Sequence, residues 1–180
     1  MSLTPSAMIP LGYKAPSFNL LDPKTGTRKT LKQLKGQKAT LVMFICNHCP
    51  FVVHIEEALV ELGHLYNQNE VSIIAINSND AEIYIEDGPK YMAEKNYNFP
   101  YLYDETQDVA KAYNAMCTPD FFLFDEDLAC VYRREFDDSR IGNQILPTGK
   151  FVIEAIDRIL LNKPISQRQL PSIGCNIKWK

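Results

Sequence analysis

Two apolar runs, Leu41 to Ile45 and Val71 to Ile76 (the second broken only by Ser72), stand out against otherwise mixed polarity. Runs this short, without alternation, predict strands buried on both faces, as in a parallel sheet. The first belongs to a strand over 39–46. Between them Val52, Val53, Ile55, Leu59, Leu62 and Leu65 recur at helical spacing, so 47–67 reads as a helix with one buried face. Upstream, Phe18 and Leu20 precede the turn signal Asp22-Pro23-Lys24-Thr25-Gly26, which predicts a hairpin over 17–30. Leu31 and Leu34 then make one helical turn, closed at Gly36.

Downstream, residues 80–96 read as an irregular helical insertion broken at Gly88-Pro89. An extended piece at 99–103 and a helix over 106–115 follow. Phe121 to Phe124 and Leu128 to Arg133 flank Asp125-Glu126-Asp127, a second hairpin. Thr148 is placed to cap a last helix reaching about Asn162, where Phe151, Val152, Ala155, Ile156 and Ile159 share a side. Residues 163–180 read as a polar, flexible tail in which Ile177 and Trp179 dock and Cys175 is incidental, the alternative being that it folds back as a further resolving thiol. The order β-α-β-α, hairpin, helix implies an α/β fold, a central mixed sheet flanked by helices, in one domain over 1–180.

Composition narrows the chemistry. A formal net charge of −3 leaves no basic footprint for nucleic acid or anionic lipid. No apolar run approaches the roughly 18 residues of a membrane span, and the first residues lack the charged and apolar regions of a signal peptide. The expected location is the cytoplasm. There, five cysteines read as catalytic, metal-binding or buried rather than as a disulfide scaffold.

Cys46 and Cys49 form a CxxC where the first apolar strand meets the helix. Unpaired N–H groups and the helix dipole favour a thiolate at such a start, and a second thiol one turn on is able to resolve a mixed disulfide. Cys46 is therefore read as the exposed nucleophile and Cys49 as its partner one turn into the helix. His48, once cationic, lowers the thiol pKa further. A structural zinc needs four ligands, and no second CxxC or His pair stands at finger spacing, so no metal or other cofactor is expected.

The element order, Cys46-Asn47-His48-Cys49 and Thr118-Pro119 before a late strand resemble the thioredoxin superfamily. Gly12, Ala15-Pro16, Phe18, Leu20 and Leu34-Lys35-Gly36 resemble its redoxin branch, the alkyl hydroperoxide reductase/thiol-specific antioxidant type. Cys46 through Phe51, Asn77-Ser78-Asn79-Asp80, Cys117-Thr118-Pro119-Asp120, Asp137-Asp138-Ser139-Arg140 and the terminal Ile173-Gly174-Cys175 stretch are similar to a peroxiredoxin-like group with a CxxC. The resemblance implies a cis Pro119 facing the CxxC, with Thr118 offering backbone hydrogen bonds to a bound peptide. It implies a thiol–disulfide oxidoreductase with an antioxidant role, acting on protein or small-molecule disulfides and recharged by an upstream thiol reductase. Peroxiredoxins place a Pro and a Thr seven and three residues before their reactive cysteine; aligned on Cys49, those positions hold Val42 and Cys46. A peroxidase and a non-catalytic redox sensor or binding module are the alternatives.

Parallel strands at 39–46 and 71–76 end at one edge, which puts Asn77, Asn79 and Asp80 beside Cys46. The second hairpin returns Asp137, Asp138 and Arg140 to the same edge. Asn47, Phe51, Asn77, Thr118 and Arg140 are thus the candidate substrate contacts, with Arg140 suited to a thiolate or anion. A carboxylate of that edge is a candidate proton acceptor, and equally a cap for its own loop. The acidic stretch Glu82 to Asp87 reads as a solvated face.

Overall fold

A computed structural model describes residues 3–66 and 68–180. The hairpin appears as β2 (Asn19–Asp22) and β3 (Thr27–Thr30), after the short β1 (Leu3–Pro5). The Asp22 carboxylate accepts from Lys24 N and Thr25 Oγ1, and Gly26 takes the left-handed φ of +68° that closes the turn. Thr30 and Gln33 then form a reciprocal capping box on α1 (Leu31–Leu34).

Strand β4 (Ala39–Phe44) is buried at all six positions. It pairs in parallel with β5 (Val71–Asn77), which pairs in parallel with β6 (Tyr101–Tyr103). On its other side β4 runs antiparallel to β8 (Asp120–Phe124), and β8 to β9 (Cys130–Tyr132). The seven strands lie in the order β3-β2-β6-β5-β4-β8-β9. Pleating sends Leu41 and Met43 to one face, where Leu59 and Leu62 of α2 (Pro50–Leu65) and Val152 and Ile156 of α5 (Lys150–Leu160) cover them. Val42 and Phe44 face the opposite core, built with Ile74, Phe122 and Tyr113 beside α4 (Asp108–Ala112). Each such side chain contributes roughly 1.5–3 kcal/mol by leaving water.

Three expectations change. Helix α2 begins at Pro50, not Asn47, and Cys49 is its extended N-cap (φ −72°, ψ 121°). Proline favours the first helical position, and its ring excludes the helical conformation from the residue before it. The expected far end at Asn67 lies outside the described residues. Thr148 is not the cap of α5: Gly149 is, and the Asp137 carboxylate accepts from Thr148 N (2.6 Å) and Gly149 N (2.7 Å). The tail is not loose. Residues Ile173–Asn176 form β10, inserted between β1 and β7 (Cys117–Thr118) in a separate three-stranded sheet. Ile177 is buried as expected, whereas Trp179 is 40% exposed. The insertion after β5 holds a single 3-10 turn, Ile85–Asp87, and the five-residue α3 (Pro89–Ala93).

Candidate functional site

Leaving the C-terminal edge of β4, the chain carries Cys46 over the start of α2, where the loop before β8 meets it. Cys46 Sγ lies 3.3 Å from Thr118 Oγ1, and Cys49 Sγ lies 3.1 Å from the Thr118 carbonyl oxygen. The Thr118–Pro119 bond is cis. The two sulfurs are within hydrogen-bonding reach of one another. Cys46 is 1% exposed and Cys49 0%, so Cys46 is not the open nucleophile the sequence suggested.

Because the sulfurs share a proton, they titrate as a unit. Cys49 is lowered to about 4, chiefly by the hydrogen bond from Cys46, then by Cys175, Thr118 and the Val52 N–H of the helix's first turn. Burial opposes this but is outweighed. Cys46 is raised well above an ordinary thiol by burial, by donating to Cys49 and by the Asp87 charge.

Asp87 is the residue the sequence reading missed. It has no exposed surface and is anything but a solvated face. One carboxylate oxygen accepts from Asn47 N (2.6 Å) and His48 N (3.3 Å); the other meets His48 Nδ1 at 2.5 Å and Asn79 Nδ2 at 2.8 Å. That hydrogen bond raises the His48 pKa, and the ring stacks on Tyr84 with centroids 4.5 Å apart. Burial alone would raise Asp87, but donors from His48, Asn79 and Asn47 bring it below the usual carboxylate range. The available signal was positional. Asp87 sits at the Gly88-Pro89 break, in the insertion that leaves the sheet edge where Cys46 lies.

Asn77 is fully buried and donates to the Asp87 carbonyl (3.1 Å) and Tyr101 Oη (3.2 Å), so it supports the Asp87 loop instead of facing a substrate. Asn47 points the same way: its Nδ2 donates to Glu86 O and its Oδ1 accepts from Tyr101. Phe51, Pro119 and Arg140 do converge, on a cleft of about 40 Å³ also lined by His54, Phe136 and Ile173. Cys46 is absent from that lining. His54 Nε2 has no hydrogen-bond partner there. Arg140 pairs with Glu135 and donates to the carbonyls of Asp137 and Ser139. Asp137 serves as the distant cap of α5; Asp138 pairs with Lys150 on the surface.

Cys46, His48 and Asp87 offer ligand atoms within 4.8 Å of one another. The His48–Asp87 separation of 2.5 Å is that of a shared proton. Two tetrahedral ligands at about 2.0 Å from zinc stay roughly 3.3 Å apart.

Comparisons with known proteins place the chain in a family. The model of the AhpC/TSA family matches residues 11–133. An uncharacterized conserved protein from Geobacillus kaustophilus superposes with a TM-score of 0.97 at 53% identity, covering 100% of this chain and 97% of that one. The thioredoxin domain of a thiol-disulfide oxidoreductase from Bacteroides vulgatus shares the fold, with a TM-score of 0.63 at 20% identity over 82% of this chain and 99% of that one. In sequence, the thiol-disulfide oxidoreductase ResA of Bacillus thuringiensis subsp. konkukian is 26% identical over 117 residues, 65% of each chain. This chain thus spans just under two thirds of the length of the curated relatives it matches first. Among the described residues no helix is long and apolar enough to cross a membrane.

Proposed function

This chain belongs to the AhpC/TSA family, and on that footing we propose that it is a thiol–disulfide oxidoreductase whose Cys46–Cys49 pair carries the two electrons. One observation carries the reading: Cys46 and Cys49 stand at the head of a sixteen-residue helix, both sulfurs against Thr118 before a cis proline. The curated relatives named as thiol-disulfide oxidoreductases support the reaction class.

The reacting form follows from the contacts. Moving the shared proton from Cys46 to Cys49 leaves a Cys46 thiolate that accepts from Thr118 Oγ1. The Cys49 thiol then donates to the Thr118 carbonyl 3.1 Å away. The Cys46 thiolate attacks a substrate disulfide; the S–S bond breaks, and the leaving thiolate takes the Cys49 proton. Cys49, now a thiolate, attacks Cys46 Sγ, expels the second substrate sulfur as a thiolate that takes its proton from water, and leaves a Cys46–Cys49 disulfide, which an upstream thiol reductase returns to the dithiol. The cleft at Phe51, Pro119 and Arg140 holds the flanking part of the substrate. His48, whose pKa the Asp87 hydrogen bond raises, favours anionic sulfur beside it when protonated. A role in antioxidant thiol balance in the cytoplasm completes the reading.

Insulin-disulfide reduction by wild type, Cys46→Ser and Cys49→Ser is the test. Loss of turnover in Cys46→Ser and trapped mixed disulfides in Cys49→Ser are expected. Peroxide turnover faster than disulfide turnover replaces this reading with a peroxidase. Inertness toward both, with a pair that still titrates against a redox buffer, replaces it with a sensor.

A further inference from the structure

The tail strand β10 brings a third thiol into the site. Cys175 stands opposite Thr118 in the β10–β7 pairing and is 1% exposed. Cys49 Sγ lies 3.1 Å from the carbonyl oxygen of that same Thr118, so the strand pairing brings Cys175 beside Cys49, and each of the two thiols shifts the acidity of the other. The approach is close by construction. Gly174, one residue before, leaves so little room that a Cβ there would sit 2.1 Å from the Thr118 oxygen. Nothing in the two-cysteine cycle uses this thiol.

We propose that Cys175 is a third redox residue, exchanging with the Cys46–Cys49 disulfide to give a buried Cys49–Cys175 disulfide and a free Cys46. The inference rests on the oxidoreductase reading, because substrate disulfide supplies the oxidising equivalents. In the exchange, the Cys175 sulfur attacks Cys49 Sγ. The Cys46–Cys49 bond breaks as the Cys49–Cys175 bond forms, and Cys46 leaves with the electron pair and takes up the proton that Cys175 loses. One disulfide and one thiol are present before and after, so no further oxidant enters.

Electrostatics gives the exchange a direction. In the dithiol state Cys175 is pushed up to about 12, first by burial and then by donating to, and lying beside, the Cys49 anion. Once Cys49 is in a disulfide that anion is gone, and only burial still holds Cys175 protonated. Its acidity therefore rises in the state in which it must attack. The product disulfide lies between two cysteines that solvent barely reaches, while Cys46 regains its thiol. The exchange therefore frees Cys46, the residue that meets substrate, while the protein stays oxidised.

Disulfide mapping by peptide mass spectrometry, after diamide oxidation of the folded full-length chain, acid quench and alkylation, tests this. Wild type is expected to contain a Cys49–Cys175 link beside Cys46–Cys49. Cys46→Ser is expected to lose two free thiols as Cys49–Cys175, and the Cys46→Ser/Cys175→Ser double variant to form no such link. Cys175→Ala is expected to shift the redox midpoint toward a more easily reduced pair, because one of two oxidised forms is removed. A wild-type Cys46–Cys49 disulfide with no trace of Cys49–Cys175, or a Cys46→Ser chain whose Cys49 stays free or joins Cys117, overturns the exchange and leaves the two-cysteine reading intact. Failure of wild type to form Cys46–Cys49, together with no insulin turnover, removes the underlying reading instead. The wild-type map needs no substitution, so the outcome does not depend on a variant folding.

Discussion

The His48 imidazole and the Asp87 carboxylate share a hydrogen bond of 2.5 Å, and Asp87 has no exposed surface. A charged acid so placed is held by its donors, and through His48 and Asn47 it fixes the two residues between the cysteines. The acidic stretch that read as a solvated face therefore supplies a buried charge that raises the pKa of both Cys46 and His48.

Replacing Asp87 by Asn should release His48. Its pKa is raised chiefly by that hydrogen bond, against burial, which lowers it. In Asp87→Asn the titration followed by proton NMR should fall to or below the ordinary value of about 6.5. An unshifted His48 titration contradicts the pairing. Leaving buried donors without their anion should also destabilise the fold by about 2–3 kcal/mol in urea unfolding.

The same pair sets a pH window. The folded His48 pKa is raised, so its stabilisation is complete below about 6.5 and declines as pH climbs through the folded value. The folded Asp87 pKa is lowered, so its share is complete above about 3.9 and vanishes as pH falls through the folded value. The stability gap between wild type and Asp87→Asn should therefore be widest between those limits. A gap that does not change with pH contradicts this.

Thiolate absorbance should develop in the acid range. With Cys49 lowered to about 4, the ultraviolet band of the pair should rise between pH 3 and 5, far below the ordinary thiol pKa of about 8.5. In Cys46→Ala, which removes the largest cause of that lowering, the transition should move up. A single wild-type transition near the ordinary value would falsify the shared-proton description.

Asp137 makes a separate case, because it caps a helix from outside it. Asp137→Ala strips acceptors from the N–H groups of Ser139, Thr148 and Gly149 and should cost about 1–2 kcal/mol. Its pKa is lowered by those donors despite burial, so the loss should be full above about 3.9 and fade as pH falls through the folded value. Equal unfolding midpoints for variant and wild type at neutral pH exclude the capping role.

Gly174→Ala should pry β10 from β7. The added methyl meets the Thr118 carbonyl at 2.1 Å, a backbone collision that forces the strands apart, at about 1–3 kcal/mol. Alkylation of Cys175 in the native state should quicken relative to wild type. Unchanged protection means that β10 does not shield the thiol.

Local chemistry made much of this fold readable. The Asp22–Gly26 turn, the β4 and β5 runs and the break at Gly88-Pro89 all act within a few residues, and each element appears where its signal lay. Topology alone placed Asn79 at the edge that Cys46 shares, whereas Thr118 beside Cys46 was legible only through the family resemblance. What escaped depends on partners far along the chain. An acid's burial at 87 needs donors from 47, 48 and 79, and a helix cap at 149 comes from 137. The tail's four-residue strand has no periodicity to betray it, only a neighbour on either side. The misplaced start of α2 is different, since Pro50 announced it: proline at the first helical position leaves its predecessor extended.

The insertion of β10 between β1 and β7 also bears on synthesis. A chain leaving the ribosome presents Cys46, Cys49 and Thr118 long before Ile173–Asn176 emerge, so the nascent domain carries its acidic sulfur without the strand that will cover it. Until that strand has emerged and paired, the sulfur is open to cellular oxidants and chaperones.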